Sequence, residues 1–296
     1  MSLVPGEAAI ARWRARAPRR SWPVKILLGV LGFVVAFWTL LPVYNMVLIA
    51  LSEDGDEFTG TVFPTHPSFE AFEVLWEGTD WYLADFWPQF TNSFIMGFST
   101  MAATVAVGAL AAFATGRMGL RRGWLIGNAA LITYTVPASF LVIPFHRLMN
   151  IYGLADTLIG VVAAQTTFAI PYAVLILYQY GKLIPMELDD AARVDGANPA
   201  QIFFRIYLPL MAPALAVVAT YALLLAWNEY LYQYVLLSSP RRMTVAAGIN
   251  HFFDSDEAPW SYLMAVALVF SLPPIVVYYV LRRYMVSGLT MGGIKG

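Results

Sequence analysis

The chain reads as an all-α integral membrane protein with six spans and both ends cytoplasmic. Hydrophobic residues fill 59% of the 296 positions and charged ones 12%, about half the charge of an average soluble domain. Six apolar stretches each reach the length of about 20 residues that a helix needs to cross the hydrocarbon core. The only formal charge inside them is Glu229. Backbone polar groups in lipid must pair within the segment, and these stretches are too long and uniformly apolar for barrel strands.

Taken in order, an N-terminal segment, 1–25, carries six Lys and Arg and leads into a first span at 26–51. Its apolar run of about 26 residues exceeds the 7–15 of a signal core, so it is expected to be retained. Next comes an outer loop, 52–89, with nine carboxylates and no Lys or Arg. Its Trp76, Trp81, Tyr82, Phe86 and Trp87 suit an amphipathic segment on the outer interface. The remaining spans fall at 94–116, 124–145, 158–180, 210–231 and 262–281, within a core domain placed at 90–281, and a tail, 282–296, closes the chain. Lys and Arg set the orientation. Three lie in each of 117–123, 182–205 and 282–296, whereas the opposite side has Arg147, Arg241 and Arg242, which puts both termini inside.

Composition excludes several functions. Net charge is −1, so no bulk basic field points to nucleic acid. Cysteine is absent, and His66, His146 and His251 are too scattered for a His-based metal motif. Gly181-Lys182 lacks the glycines and the Ser or Thr of a P-loop, so no ATPase chemistry is expected in this chain.

The most telling stretch is the polar loop 182–208. Pro185 opens a short helix with Glu187, Asp189 and Asp190 in its first turn, where carboxylates complement the dipole. Gly196 ends it in a left-handed position, and Asn198-Pro199-Ala200-Gln201 starts a second helix with a capping-box pattern. A rigid elbow results. On its first helix Leu188, Ala191 and Ala192 share a face, small enough for close approach by a partner.

Acidic-Ala-Ala (Asp190, Ala191, Ala192), then Asp195-Gly196, then Ile206-x-Leu208-Pro209, resembles the signature loop of ABC importer membrane subunits, with Asp190 where the family usually has Glu. The resemblance implies that Glu187, Leu188, Asp190, Ala191, Ala192, Asp195, Gly196, Ile206, Leu208 and Pro209 dock on a cytoplasmic ATPase. The tail, with Gly288, Leu289, Thr290, Gly292, Gly293 and Lys295, is similar to that of maltose-type carbohydrate permeases. In some of these it enters the cleft between two ATPase subunits; without the resemblance, such a Gly-rich end reads as disordered. Trp227-Asn228-Glu229-Tyr230 and Leu236-Leu237-Ser238-Ser239 resemble the same group.

The implied protein is a permease in the type I importer fold, resident in a bacterial or archaeal plasma membrane, carrying a sugar, oligosaccharide or polyol. It implies a second permease, an ATPase dimer that holds ATP and Mg, and an extracytoplasmic solute-binding protein, with no cofactor on this chain. A stand-alone secondary transporter or channel is the alternative class, and it would need an ion site or filter. Candidates to line the path are Tyr134, Gln165, Thr166, Tyr221, Asn228, Glu229 and Tyr232, with Tyr221, Asn228 and Tyr232 expected on one face of the fifth span. Glu229 reads equally as a functional carboxylate or as one at the outer interface.

Overall fold

A computed structural model describes residues 22–53, 60, 62–64, 66–118, 125, 129, 132–254 and 258–291, with backbone alone for Tyr134 and 286–291. The described chain is almost wholly helical. We label its helices α1 (Trp22–Ala50), α2 (Glu70–Glu77), α3 (Phe86–Arg117), α4 (Val142–Ile151), α5 (Leu158–Gly181), α6 (Glu187–Val194), α7 (Pro199–Leu210), α8 (Ala212–Asn228), α9 (Leu231–Leu236), α10 (Val245–Gly248) and α11 (Trp260–Met291). Among the described residues α1, α3, α5 and α11 are long and apolar enough to cross a membrane. The pair α7 and α8, bent by 78°, supplies a fifth candidate span if counted as one.

Two expected spans are not continuous helices. Of the third, 124–145, most of the first half lies outside the described residues, and the second half is broken. Short 3-10 turns at Thr133–Thr135 and Ala138–Leu141 flank an extended Val136 before α4 begins. Pro137 causes the break, since it has no N–H and drives the preceding residue out of helical conformation. The fifth, 210–231, also fails as one helix. It restarts at Ala212 with Pro213 in its first turn and stops at Asn228, because Glu229 is extended.

The second span begins earlier than its apolar run. Gln89, Asn92 and Ser93 look like loop residues by hydropathy, yet they lie inside α3. Each has a partner across the fold: Gln89 Nε2 donates to Pro240 O, Asn92 Nδ2 to the carbonyls of Arg241 and Met243, and Ser93 Oγ accepts from Val245 N–H. Buried polar groups are tolerated when so paired.

Helices α3 and α5 form the central pair, with α8 against both, α11 against α8 and α1 against α11. The approach of α3 to α5 is tight: a Cβ on Gly108 would lie 2.9 Å from that of Ala173, the small-residue contact that helix packing in lipid favours. Three apolar clusters hold the fold. One, with Phe113, Leu177, Phe203, Tyr207 and Met211, sits beside the elbow; another gathers Leu75, Phe86, Phe252 and Leu263 at the opposite end; the third joins Met96, Val161, Tyr232 and Leu236. By contrast α1 buries only Ile49 and Ala50. Most of this 29-residue helix, about 43 Å long, is left for lipid or another subunit.

Candidate functional site

The elbow is built from α6, the turn 195–198 and the start of α7. Gly196 adopts φ 84°, a left-handed conformation that a Cβ disfavours. Its N–H donates to Arg193 O at 3.0 Å, and the Ala197 N–H donates to Ala192 O at 2.9 Å, the two bonds of a Schellman motif. Two residues on, Gln201 N–H donates to Asn198 Oδ1 at 2.9 Å while Asn198 N–H donates to Gln201 Oε1 at 2.8 Å, with Pro199 at the first helical position. This reciprocal cap fixes the angle at which α7 leaves the turn. Pro185 lies two residues before the first helical residue of α6, so it precedes the helix rather than opening it.

Outward, α6 presents small and apolar side chains interleaved with charged ones. Leu188, Ala191 and Val194 are exposed, Val194 at 88%, while Ala192 is half-buried against the core. Glu187, Asp190 and Asp195 are exposed as well, Asp190 pairing with Arg193 at 3.2 Å. A Cβ placed on Gly196 would meet nothing within 4 Å among the described residues. The second half of the pattern faces the other way. Leu208 packs on the Phe113–Tyr207 cluster, and Ile206 is half-buried. Pro209 cannot donate to the Arg205 carbonyl, and the turn before it widens, so that Leu208 N–H reaches back to Phe203 O in the π pattern. One half of the loop thus anchors while the other is offered.

Sequence reasoning missed the pair that ties this elbow to the spans. Arg117, the last residue of α3, is buried and donates to Gly181 O (3.1 Å), Ile184 O (2.8 Å), Pro185 O (3.4 Å) and Met186 Sδ (2.9 Å). Its Nη1 also lies 3.5 Å from Asp189 Oδ2, on a carboxylate 1% exposed. Asp189 therefore serves Arg117 as a counter-charge as well as lying in the first turn of α6. Neither residue carries a local signal, since each looks like an ordinary solvated charge at a helix end.

The membrane-spanning helices, the exposed small-residue elbow and its anchoring Ile-x-Leu-Pro segment together fit a subunit that hands force to a partner. Residues 104–290 match the family model described as binding-protein-dependent transport system inner membrane component. The chain belongs to this family. Such permeases are multi-pass plasma-membrane proteins of ABC importers and work with an ATPase and a solute-binding protein. A permease of Escherichia coli K12, the inner membrane ABC transporter permease protein YcjP, is 30% identical over 87% of this chain and 92% of its own length. The trehalose transport system permease protein SugB of Mycobacterium tuberculosis is 32% identical over 90% and 97%. The melibiose/raffinose/stachyose import permease protein MelC of Bacillus subtilis is 27% identical over 91% and 96%. In fold, the permease is similar to a bacterial ABC transporter involved in the import of the acidic polysaccharide alginate. That match has a TM-score of 0.71 at 22% identity and covers 90% of this chain and 99% of the other.

The candidate path residues of the permease separate into distinct places. Tyr221, Asn228 and Tyr232 do not share a helix face, because α8 ends at Asn228 and Tyr232 belongs to α9. Tyr232 is buried, donates to Ala138 O at 2.7 Å and packs between Phe145 and Phe168. The Tyr221 ring lies tilted against that of Tyr172, 4.1 Å between centroids. Asn228 is exposed at the edge of an apolar cavity of about 350 Å³ between α8 and α11, lined also by Trp227, Phe270 and Pro274. Glu229 fills the gap between α8 and α9, accepting from Tyr232 N–H (2.9 Å), Gln233 N–H (3.3 Å) and Gln165 Nε2 (3.5 Å). Gln165 is buried and accepts in turn from Thr100 at 3.3 Å. The Thr166 hydroxyl beside it is buried without a hydrogen bond among the described residues. A polar thread therefore runs through α3, α5 and the α8–α9 break. The side chain of Tyr134 lies outside the described residues.

At the end remote from the elbow, residues 238–242 of the permease are pinned. Asp156, at φ 52°, accepts from Ser238 and Ser239 N–H and pairs with Arg242 at 2.9 Å. The Ser238 bond leads in holding the Asp156 carboxyl below the usual carboxylate range; Ser239 and the Arg242 guanidinium add to it, and burial opposes them. Arg241 pairs with Asp85 at 3.4 Å. Of the tail, Gly288, Leu289 and Thr290 continue α11, while Gly292, Gly293 and Lys295 lie outside the described residues.

Proposed function

We propose that this permease forms half of the import path for a sugar, oligosaccharide or polyol, in a pore completed by a second, different permease. The observation that carries the cargo class is the kinship with SugB and MelC, each alignable over nearly its whole length and each named for di- or oligosaccharide import. Deleting the gene in its native cell should abolish uptake of one or more labelled disaccharides, trehalose and melibiose being the first to try, and leave methionine uptake unchanged. Lost methionine uptake with intact disaccharide uptake would reverse the cargo class.

In this reading the chain has six spans with both termini cytoplasmic, and α6 with the turn at Gly196 docks on the ATPase. ATP and Mg²⁺ reside on the ATPase dimer. The tail from Gly288 through Lys295 reaches toward that dimer, and the solute-binding protein delivers cargo at the opposite face. Gln165, Thr166, Asn228 and Glu229 border the path, with Tyr134 and Tyr221, while Tyr232 holds α9 in place.

Absence of cysteine makes the orientation directly testable. Thr79 and Ala200 are exposed at opposite ends. Thr79→Cys should react with an impermeant maleimide on intact cells, and Ala200→Cys only after permeabilisation. The reverse pattern would overturn the charge-based topology.

A further inference from the structure

Arg117 and Asp189 are the two buried charged side chains among the described residues. They meet where four helices converge. Arg117 ends α3, its donors close the last carbonyls of α5 and the link to α6, and its guanidinium lies 5.7 Å from the ring centre of Tyr207 in α7. Nearly all of its hydrogen bonding is spent on Gly181, Ile184, Pro185 and Met186. Among the described residues Asp189 is left with one contact at 3.5 Å, and neither of its buried oxygens has a hydrogen bond.

A carboxylate removed from water needs both a counter-charge and donors, and here it has only the first. Apolar side chains of similar volume would fasten α6 to the spans at least as firmly. The joint also has room beside it, in a cavity of about 170 Å³ lined by Arg117, Tyr178, Gly181, Lys182, Met186 and Tyr207. A small turn or slide of α6, which touches the edge of the Phe113–Tyr207 core only through the small side chain of Ala192, would bring Asp189 to full contact with the guanidinium, or take it away. An under-satisfied carboxylate whose charged partner borders free space is how a bistable contact looks in one of its states.

We propose that Arg117 and Asp189 are positioning residues that carry displacement of α6 into the membrane helix α3, so that ATPase movement and the far face of the permease sense one another. The inference rests on α6 being the docking helix, and the experiment separates the two ideas. The importer complex is purified from its native membrane through a tag on this chain, and ATP hydrolysis is measured with and without its solute-binding protein. Asp189→Asn is nearly isosteric and leaves every Arg117 hydrogen bond intact; it should keep the ATPase subunit in the complex while lowering stimulation by the binding protein about five-fold or more. Arg117→Lys, which keeps the charge but loses the fork, should fall between Asp189→Asn and wild type. Leu188→Asp tests docking alone, and should shed the ATPase subunit.

If Asp189→Asn and Arg117→Lys complexes both retain the ATPase and full stimulation, the joint is merely structural and the proposal fails. If Leu188→Asp retains the ATPase with full stimulation, the docking reading itself fails, whatever the joint does. Should Asp189→Asn not accumulate, Arg117→Lys decides alone: reduced stimulation with normal ATPase content supports the joint, and full stimulation overturns it.

Discussion

Replacing Gly196 with leucine should abolish coupled ATP hydrolysis while leaving the permease in the membrane. The residue sits at φ 84°, where a Cβ costs about 1–2 kcal/mol. That strain alone is too small to unfold a protein whose main core lies elsewhere. Bulk is the larger effect. Among the described residues nothing stands within 4 Å of a Cβ at this position, so leucine disturbs none of their packing and projects into whatever covers the elbow. Overpacking a fitted interface costs about 1–3 kcal/mol, which at its upper end is about a hundredfold in docking. Gly196→Asn separates them, since asparagine tolerates the left-handed conformation and is smaller. It should retain most of the ATPase in the purified complex, whereas Gly196→Leu should lose nearly all of it. Equal retention by both would remove this turn from the docking surface.

That prediction was accessible from sequence because the elbow is made of local signals. A glycine at a helix end and an Asn-Pro-x-Gln start act over four or five residues, so their spacing alone fixes the turn, and the Schellman and capping-box bonds lie where that spacing puts them. Apolar length located α1, α5 and α11 for the same reason. Legibility ended where polar groups find distant partners. Gln89, Asn92 and Ser93 look like outer-loop residues until the carbonyls and N–H groups of residues 240–245 are brought beside them. Arg117 and Asp189 look like solvated charges until α3, α5 and α6 converge. Hydropathy could not see the break after Asn228 either, because it averages over Glu229 and reports a continuous run. A helical repeat drawn through such a break assigns side chains to a face that does not exist, which is why Tyr232 falls inside the subunit rather than beside Asn228.

Glu229→Ala should destabilise the permease by about 3 kcal/mol, because that carboxylate does the work of a missing turn of helix. It accepts the Tyr232 and Gln233 N–H groups, two of the donors that the first turn of α9 leaves unpaired, and the Gln165 amide. A hydrogen bond to a charged group contributes about 1.5–3 kcal/mol, and a buried donor stranded by its loss costs about 1–3. The damage would spread beyond the gap. Helix α9 carries Tyr232, which holds Ala138, and Gln233, which donates to Ala226 O and accepts from Thr244. Uptake should fall with stability, and thermal unfolding of the detergent-solubilised protein would measure the first loss. Glu229→Gln is the discriminating change. Its amide oxygen still accepts from Tyr232 N–H, and a rotation of the Gln165 amide lets the two side chains pair again, so with only the 3.3 Å Gln233 bond given up the cost in stability should be about 1 kcal/mol, well below that of alanine. Near-normal uptake in that variant makes Glu229 a cap alone, whereas an uptake defect at unchanged thermal stability means that cargo meets the charge. An alanine variant that unfolds at the wild-type temperature would sink the capping argument, and with it the reason for the break between α8 and α9.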